Sequence, residues 1–122
     1  MSKTILIVED NDLNMKLFND LLQAHGYETV QTMDGRDVLD LAREHSPDLI
    51  IMDIFMPDLN GIEAIQWLKK GYPKTPIVAI SGGATVAGRD CLELAKEKGA
   101  DYTFRKPFKM AEFVETVGGA LA

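Results

Sequence analysis

Cysteine is nearly absent: Cys91 is the one thiol in 122 residues, so no internal disulfide is available and a reducing compartment suits the chain. It lies beside Leu92 and Leu94 in a helical stretch, where a free cysteine packs as a small, inert hydrophobe. Histidine is as scarce. His25 and His45 both fall where a helix should end, a place for complementing the helix dipole rather than for a metal site. No apolar run approaches the roughly 20 residues of a membrane helix. The opening Met-Ser-Lys-Thr leads straight into an apolar strand with no cleavage site, so this stretch is not expected to act as a secretory signal. Lys and Arg do not cluster, and the formal net charge is −6, which argues against nucleic acid or an anionic membrane as partner. Repeats, linkers and low-complexity segments are missing too.

What is there is an ordinary globular composition, 46% hydrophobic and 26% charged, at a length that suits one core. Leu49-Ile50-Ile51-Met52 is an unbroken apolar run that ends in Asp53. Such runs are strands buried on both faces of a parallel sheet. Pro57, four residues on, marks that the strand is over. Thr4 to Val8 and Ile77 to Ile80 read the same way, Glu28 to Thr32 and Tyr102 to Arg105 as shorter strands. Between them come helices. Asn11 or Asp12 caps the first, whose apolar positions include Leu13, Leu17, Phe18, Leu21 and Leu22, with Gly26 closing it. The second opens at Asp34-Gly35 and stops before Pro47, and the third follows Asn60-Gly61 and carries a partly exposed Trp67. The fourth spans Arg89 to Lys98 and the fifth Met110 to Leu121, with Gly118-Gly119 weakening its end. The methionines read as packing residues. Strand and helix alternate five times, which predicts right-handed crossovers and helices on both faces of one parallel sheet. A single domain over residues 1–122, with no output domain, is expected.

Four strands end in distinctive chemistry: Glu9-Asp10, Asp53, Ser81-Gly82 and Lys106-Pro107. In an open parallel sheet these ends share one edge, where ligands bind. Each residue alone suits an ordinary turn or surface; their coincidence at one edge points to a site. Like charges 4 Å apart cost about 4 kcal/mol at an effective dielectric of about 20, so three carboxylates there call for a cation. An all-oxygen ligand set suits Mg²⁺, or Mn²⁺. A divalent cation and the Lys106 ammonium balance the three acids. Such a neutral site tolerates a phosphoryl group, with Asp53 as carboxylate nucleophile and Lys106 and Ser81 contacting the phosphoryl oxygens.

These stretches resemble the receiver domain of two-component response regulators. The resemblance rests on Ile5-Leu6-Ile7-Val8-Glu9-Asp10-Asn11, Asp48-Leu49-Ile50-Ile51-Met52-Asp53, Met56-Pro57, Asn60-Gly61, Ile80-Ser81-Gly82, and Gly99-Ala100-Asp101 through Lys106-Pro107-Phe108, and it covers the whole chain. The first thirty residues look most like the single-domain DivK-type regulators of bacterial cell-cycle control. The resemblance implies a doubly wound, flavodoxin-like (CheY-like) α/β fold with strand order 2-1-3-4-5 and five helices. It implies that Asp53 accepts phosphate from a sensor histidine kinase or histidine phosphotransfer protein. Asp10, Asp53 and the Phe55 carbonyl would ligate Mg²⁺ directly and Glu9 through water. Ser81, Lys106 and the Gly82 N–H would bind the phosphoryl oxygens, and the Lys106-Pro107 bond would be cis. A cytoplasmic protein that signals by docking follows; it is not an enzyme beyond its own phosphotransfer and slow dephosphorylation.

One position departs from the family pattern. Three residues before Lys106, where receivers carry Tyr or Phe, stands Thr103, between Tyr102 and Phe104. That puts the usual aromatic switch in question: either a neighbouring aromatic substitutes or the backbone alone moves. Phe55 and Gly83 fall where the resemblance places the residues flanking water's approach to the aspartyl phosphate. Neither orients a water, which predicts slow hydrolysis. The Gly-rich loop after Ser81 is expected to be mobile. Three rival readings fit less well. A haloacid-dehalogenase-type phosphatase needs an acid two residues beyond its nucleophile, and that residue is Phe55. A flavin module needs donors in its first loop, and Glu9-Asp10-Asn11-Asp12 has the wrong charge. A binding-only pseudo-receiver has no need of an intact acid set.

Overall fold

The computed structural model describes residues 2–56, 59–83, 85, 86 and 88–122, and only the backbone of 55, 56, 59, 60, 85 and 86. Five strands form one sheet: β1 (Thr4–Val8), β2 (Glu28–Thr32), β3 (Leu49–Asp53), β4 (Ile77–Ser81) and β5 (Tyr102–Arg105). All are parallel, in the order β2-β1-β3-β4-β5. The helices are α1 (Asp12–Ala24), α2 (Val38–His45), α3 (Gly61–Gly71), α4 (Cys91–Lys98) and α5 (Met110–Ala120). Two antiparallel bridges, Phe55–Met56 with Leu59–Asn60 and Thr85–Val86 with Arg89–Asp90, lie in the loops after β3 and β4. This is the expected doubly wound architecture, and the Lys106–Pro107 bond is cis as the resemblance implied.

The continuous apolar strands are buried on both faces because successive side chains point to opposite sides. Leu6, Val8, Ile50, Met52, Ile77 and Ala79 face α2, α3 and α4, packing on Val38, Ala42, Ile65, Leu68, Cys91 and Ala95. Ile5, Ile7, Leu49, Ile51, Val78 and Ile80 face α1 and α5, packing on Met15, Phe18, Leu22, Phe113 and Val117. Phe113 anchors a ring cluster with Phe18, Phe104 and Phe108, its centroid 5.2 to 5.6 Å from theirs. At the amino edge of the sheet, Asp48 accepts from the Thr4 N–H and Asp101 from the Ile77 N–H, each at 2.8 Å. Both satisfy strand donors that no neighbouring strand reaches.

Four expectations need correction. In α1 the buried residues are Met15, Phe18 and Leu22; Leu13 and Leu17 face solvent, 79% and 47% exposed. Residues Gly35–Asp37 form a 3₁₀ turn capped by Asp34, and α2 begins only at Val38. Arg89 and Asp90 precede α4, and Asp90 caps it by accepting from the Leu92 N–H at 3.0 Å. Met33 is exposed rather than packed, unlike Met15 and Met52. Cys91 is buried and Trp67 half exposed, as expected. The breaker role of Pro57 and the Met56-Pro57 motif lie partly outside the described residues, as does the loop from Gly82 to Gly88, at positions 84 and 87.

Gly61, the first residue of α3, sits against the backbone of Ile54. A Cβ there would lie 2.6 Å from the Ile54 Cα and 2.8 Å from its carbonyl oxygen. Replacing a helical glycine by alanine ordinarily stabilises by up to about 1 kcal/mol. Here the sign reverses: Gly61→Ala is expected to lower stability by about 1–3 kcal/mol, the cost of overpacking. Urea unfolding of the two proteins measures it, and a gain in midpoint contradicts the close approach.

Candidate functional site

The site is built by strand ends. β1 delivers Glu9 and Asp10, β3 delivers Asp53, β4 ends in Ser81, and Lys106 follows β5. Parallel register puts all of these at the carboxyl edge. Glu9, Asp10 and Asp53 converge, one carboxylate oxygen of each lying within 4.8 Å of the others. Glu9 and Asp53 are buried, Asp10 exposed. Lys106 Nζ bridges the two buried acids, 3.1 Å from Asp53 Oδ2 and 3.3 Å from Glu9 Oε1. The second Glu9 oxygen accepts from the Asn11 N–H at 3.3 Å.

Lys106 is held in register by its own backbone, whose N–H donates to the Ser81 carbonyl at 2.8 Å. Ser81 is fully buried, and its hydroxyl accepts from the Gly83 N–H at 3.2 Å. That turn needs Gly83 in the left-handed region, at φ +98°. Gly82, the other glycine of this turn, has open space among the described residues where a side chain would stand. Thus Glu9, Asp10, Asp53 and Lys106 meet, with Ser81, Gly82 and Gly83 at the adjoining strand end. Phe55 follows β3 closely in the chain, but its side chain lies outside the described residues. Thr103 stands apart from the acids, half buried on β5 and lining a cavity of about 370 Å³ beside α4.

The electrostatics are those of a crowded acidic site. Burial raises the Glu9 pKa most, the hydrogen bond and charge of Asp53 add to it, and Lys106 and the Asn11 N–H only partly oppose them; it reaches about 7. For Lys106, burial disfavours the ammonium, yet the Asp53 and Glu9 charges and hydrogen bonds prevail and raise its pKa. A cluster of hard oxygen donors that holds a proton in place of a cation is chemically fitted to a divalent ion.

Two groups of this neighbourhood escaped the sequence reading. Asp90 and Arg105 form an ion pair across the loop after β4. The available signal was the position of Arg105 immediately before Lys106, which alternation sends to the opposite face of the sheet.

The chain belongs to the response regulator receiver domain family, whose model matches residues 5–118. Among curated proteins it is similar to the polar-differentiation response regulators DivK of Brucella ovis and Brucella abortus. Each is 44% identical over 119 residues, 96% of this chain and 94% of the relative. Among solved structures, a CheY-like receiver domain protein from Methanospirillum hungatei superposes with a TM-score of 0.90 at 24% identity, covering 99% of this chain and 94% of that one. The chemotaxis protein CheY4 of Vibrio cholerae superposes with a TM-score of 0.85 at 28% identity, covering 99% and 100%. Among the described residues, no helix is long and apolar enough to cross a membrane.

The raised Glu9 pKa links stability to pH. Without metal, the folded chain binds a proton at Glu9 that the unfolded chain, with a pKa near 4.5, has released. The stabilisation is therefore complete below about pH 4.5 and lost as pH rises through about 7. Metal-free wild type should lose on the order of 2 kcal/mol relative to Glu9→Gln between pH 5 and pH 8. Urea midpoints in a chelator measure this, and parallel pH profiles for the two proteins contradict it.

Proposed function

We propose that Asp53 is a phosphoacceptor and that the chain signals by the resulting change of state. The observation that carries this reading is Asp53 buried among two other acids, with the Lys106 ammonium 3.1 Å from its carboxylate. The donor is the phosphohistidine of a sensor histidine kinase or histidine phosphotransfer protein. An Asp53 oxygen forms the new P–O bond, and the electron pair of the breaking P–N bond returns to the imidazole. Asp10, Asp53 and the Phe55 carbonyl would hold Mg²⁺, or Mn²⁺ in its place, with Glu9 acting through water. When bound, the ion offsets negative charge on the transferring oxygens. Lys106 shifts its ammonium from the Asp53 carboxylate to the phosphoryl group, and Ser81 and the Gly82 N–H supply hydrogen bonds. We place the chain in the cytoplasm as a receiver that acts on a protein target by docking and has no activity beyond its own phosphotransfer and dephosphorylation.

Acetyl phosphate with Mg²⁺, followed by intact-mass spectrometry, tests the reading. Wild type should gain one phosphoryl group and Asp53→Asn none; a persistent gain in Asp53→Asn contradicts it. Lys106→Ala should keep its affinity for the divalent ion while losing the spectral response to the phosphoryl group.

Slow loss of the phosphoryl group is part of the same reading. Water must reach phosphorus opposite the Asp53 oxygen, and polar side chains at positions 55 and 83 would orient it. Phe55 and Gly83 offer no such group. Phosphate should therefore decay faster from Phe55→Asn than from wild type. If Phe55→Asn and Phe55→Ala both hold it as long as wild type or longer, Phe55 does not set the lifetime of the phosphate.

A further inference from the structure

The residue before Lys106 faces the other way and meets a second charge. Arg105 pairs with Asp90, whose Oδ1 caps α4 by accepting from the Leu92 N–H and whose Oδ2 takes the guanidinium. The same guanidinium lies over the turn that follows Ser81: a Cβ on Gly83 would be 3.2 Å from Arg105 Nη1. Lys106 and Arg105 thus form a two-residue lever. One arm holds Asp53 and Glu9, the other holds the first turn of α4, and its backbone is tied to the Ser81 carbonyl. Beside it, an open groove between β5 and α4 is lined by Asp90, Leu92, Glu93, Lys96, Thr103 and Arg105.

We propose that the Arg105–Asp90 ion pair is a latch that holds α4 and the Ser81 turn in the unphosphorylated arrangement and opens when Asp53 is phosphorylated. Arg105 is a positioning residue that acts through Asp90 and the backbone of Lys106; the proposal rests on Asp53 being the phosphoacceptor. Phosphorylation replaces the single charge of the Asp53 carboxylate by a phosphoryl group carrying up to about two, and places three acceptor oxygens next to the Ser81 turn. Lys106 re-aims toward it, the 105–106 backbone follows, and the new charge competes with Asp90 for the guanidinium. A contact made in one state only biases the equilibrium by its own strength. Arg105 is half exposed and Asp90 a quarter exposed, and pairs with that much solvent contact shift an equilibrium about two- to five-fold.

Beryllofluoride, which stands in for the phosphoryl group on an aspartate, provides the test. Asp90→Ser keeps a capping oxygen and loses the charge; Arg105→Gln keeps length and loses the charge. Amide spectra of Leu92, Glu93 and Lys96 are recorded with Mg²⁺ alone and through a beryllofluoride titration. Each variant should start part of the way toward the wild-type end point and reach half-saturation at about two- to five-fold less beryllofluoride. The double variant should go no further than either single one, since both remove the same contact. Added salt should move wild type in the same direction by screening the pair. Variants that coincide with wild type, or single effects that add in the double variant, overturn the latch. A wild type that does not respond to beryllofluoride overturns the phosphoacceptor reading and the latch with it, whereas a normal wild-type response with unmoved variants overturns the latch alone.

Discussion

Two buried carboxylates share one half-buried ammonium, and the carboxyl edge of the sheet is organised around that contact. Glu9 and Asp53 repel each other in a place with little water to screen them. Lys106 relieves part of the repulsion, and a proton on Glu9 relieves more at neutral pH. A site that must borrow a proton to be comfortable is one prepared for further positive charge.

The sheet makes this arrangement possible at low conformational cost. Parallel strands all end on the same side, so residues separated by 44 or 53 positions become neighbours without long loops. The hydrophobic layers on both faces fix each strand's register, since slipping by one residue would exchange the face toward α1 and α5 for the face toward α2, α3 and α4. The carboxylate of Asp53 is thereby placed by Ile50, Ile51 and Met52 as much as by its own contacts. At the opposite edge, Asp48 and Asp101 play a purely structural part, accepting from strand amides.

The strands were legible because an unbroken apolar run has one comfortable home, and the site because the residues ending those runs are chemically unlike the runs themselves. The face of α1 was not legible. Leu13 and Leu17 lie on one side of the helix and Met15, Phe18 and Leu22 on another, and only the sheet decides that the second is buried. The start of α4 was misplaced because Asp90 competes as a cap with the helical preference of the residues before it. The Arg105–Asp90 pair joins a strand end to a helix cap 15 residues away, and periodicity carries no information on such contacts. Thr103, by contrast, was recognisable as a departure from sequence alone, and it lines an open groove beside α4.

The most direct test of this electrostatic picture is the carboxyl ¹³C shift of Glu9 followed by NMR against pH in metal-free protein. Its midpoint should fall at about 7 in wild type and lower in Asp53→Asn, which removes the neighbouring charge. A midpoint near the ordinary value of 4.5 in both proteins would contradict the account.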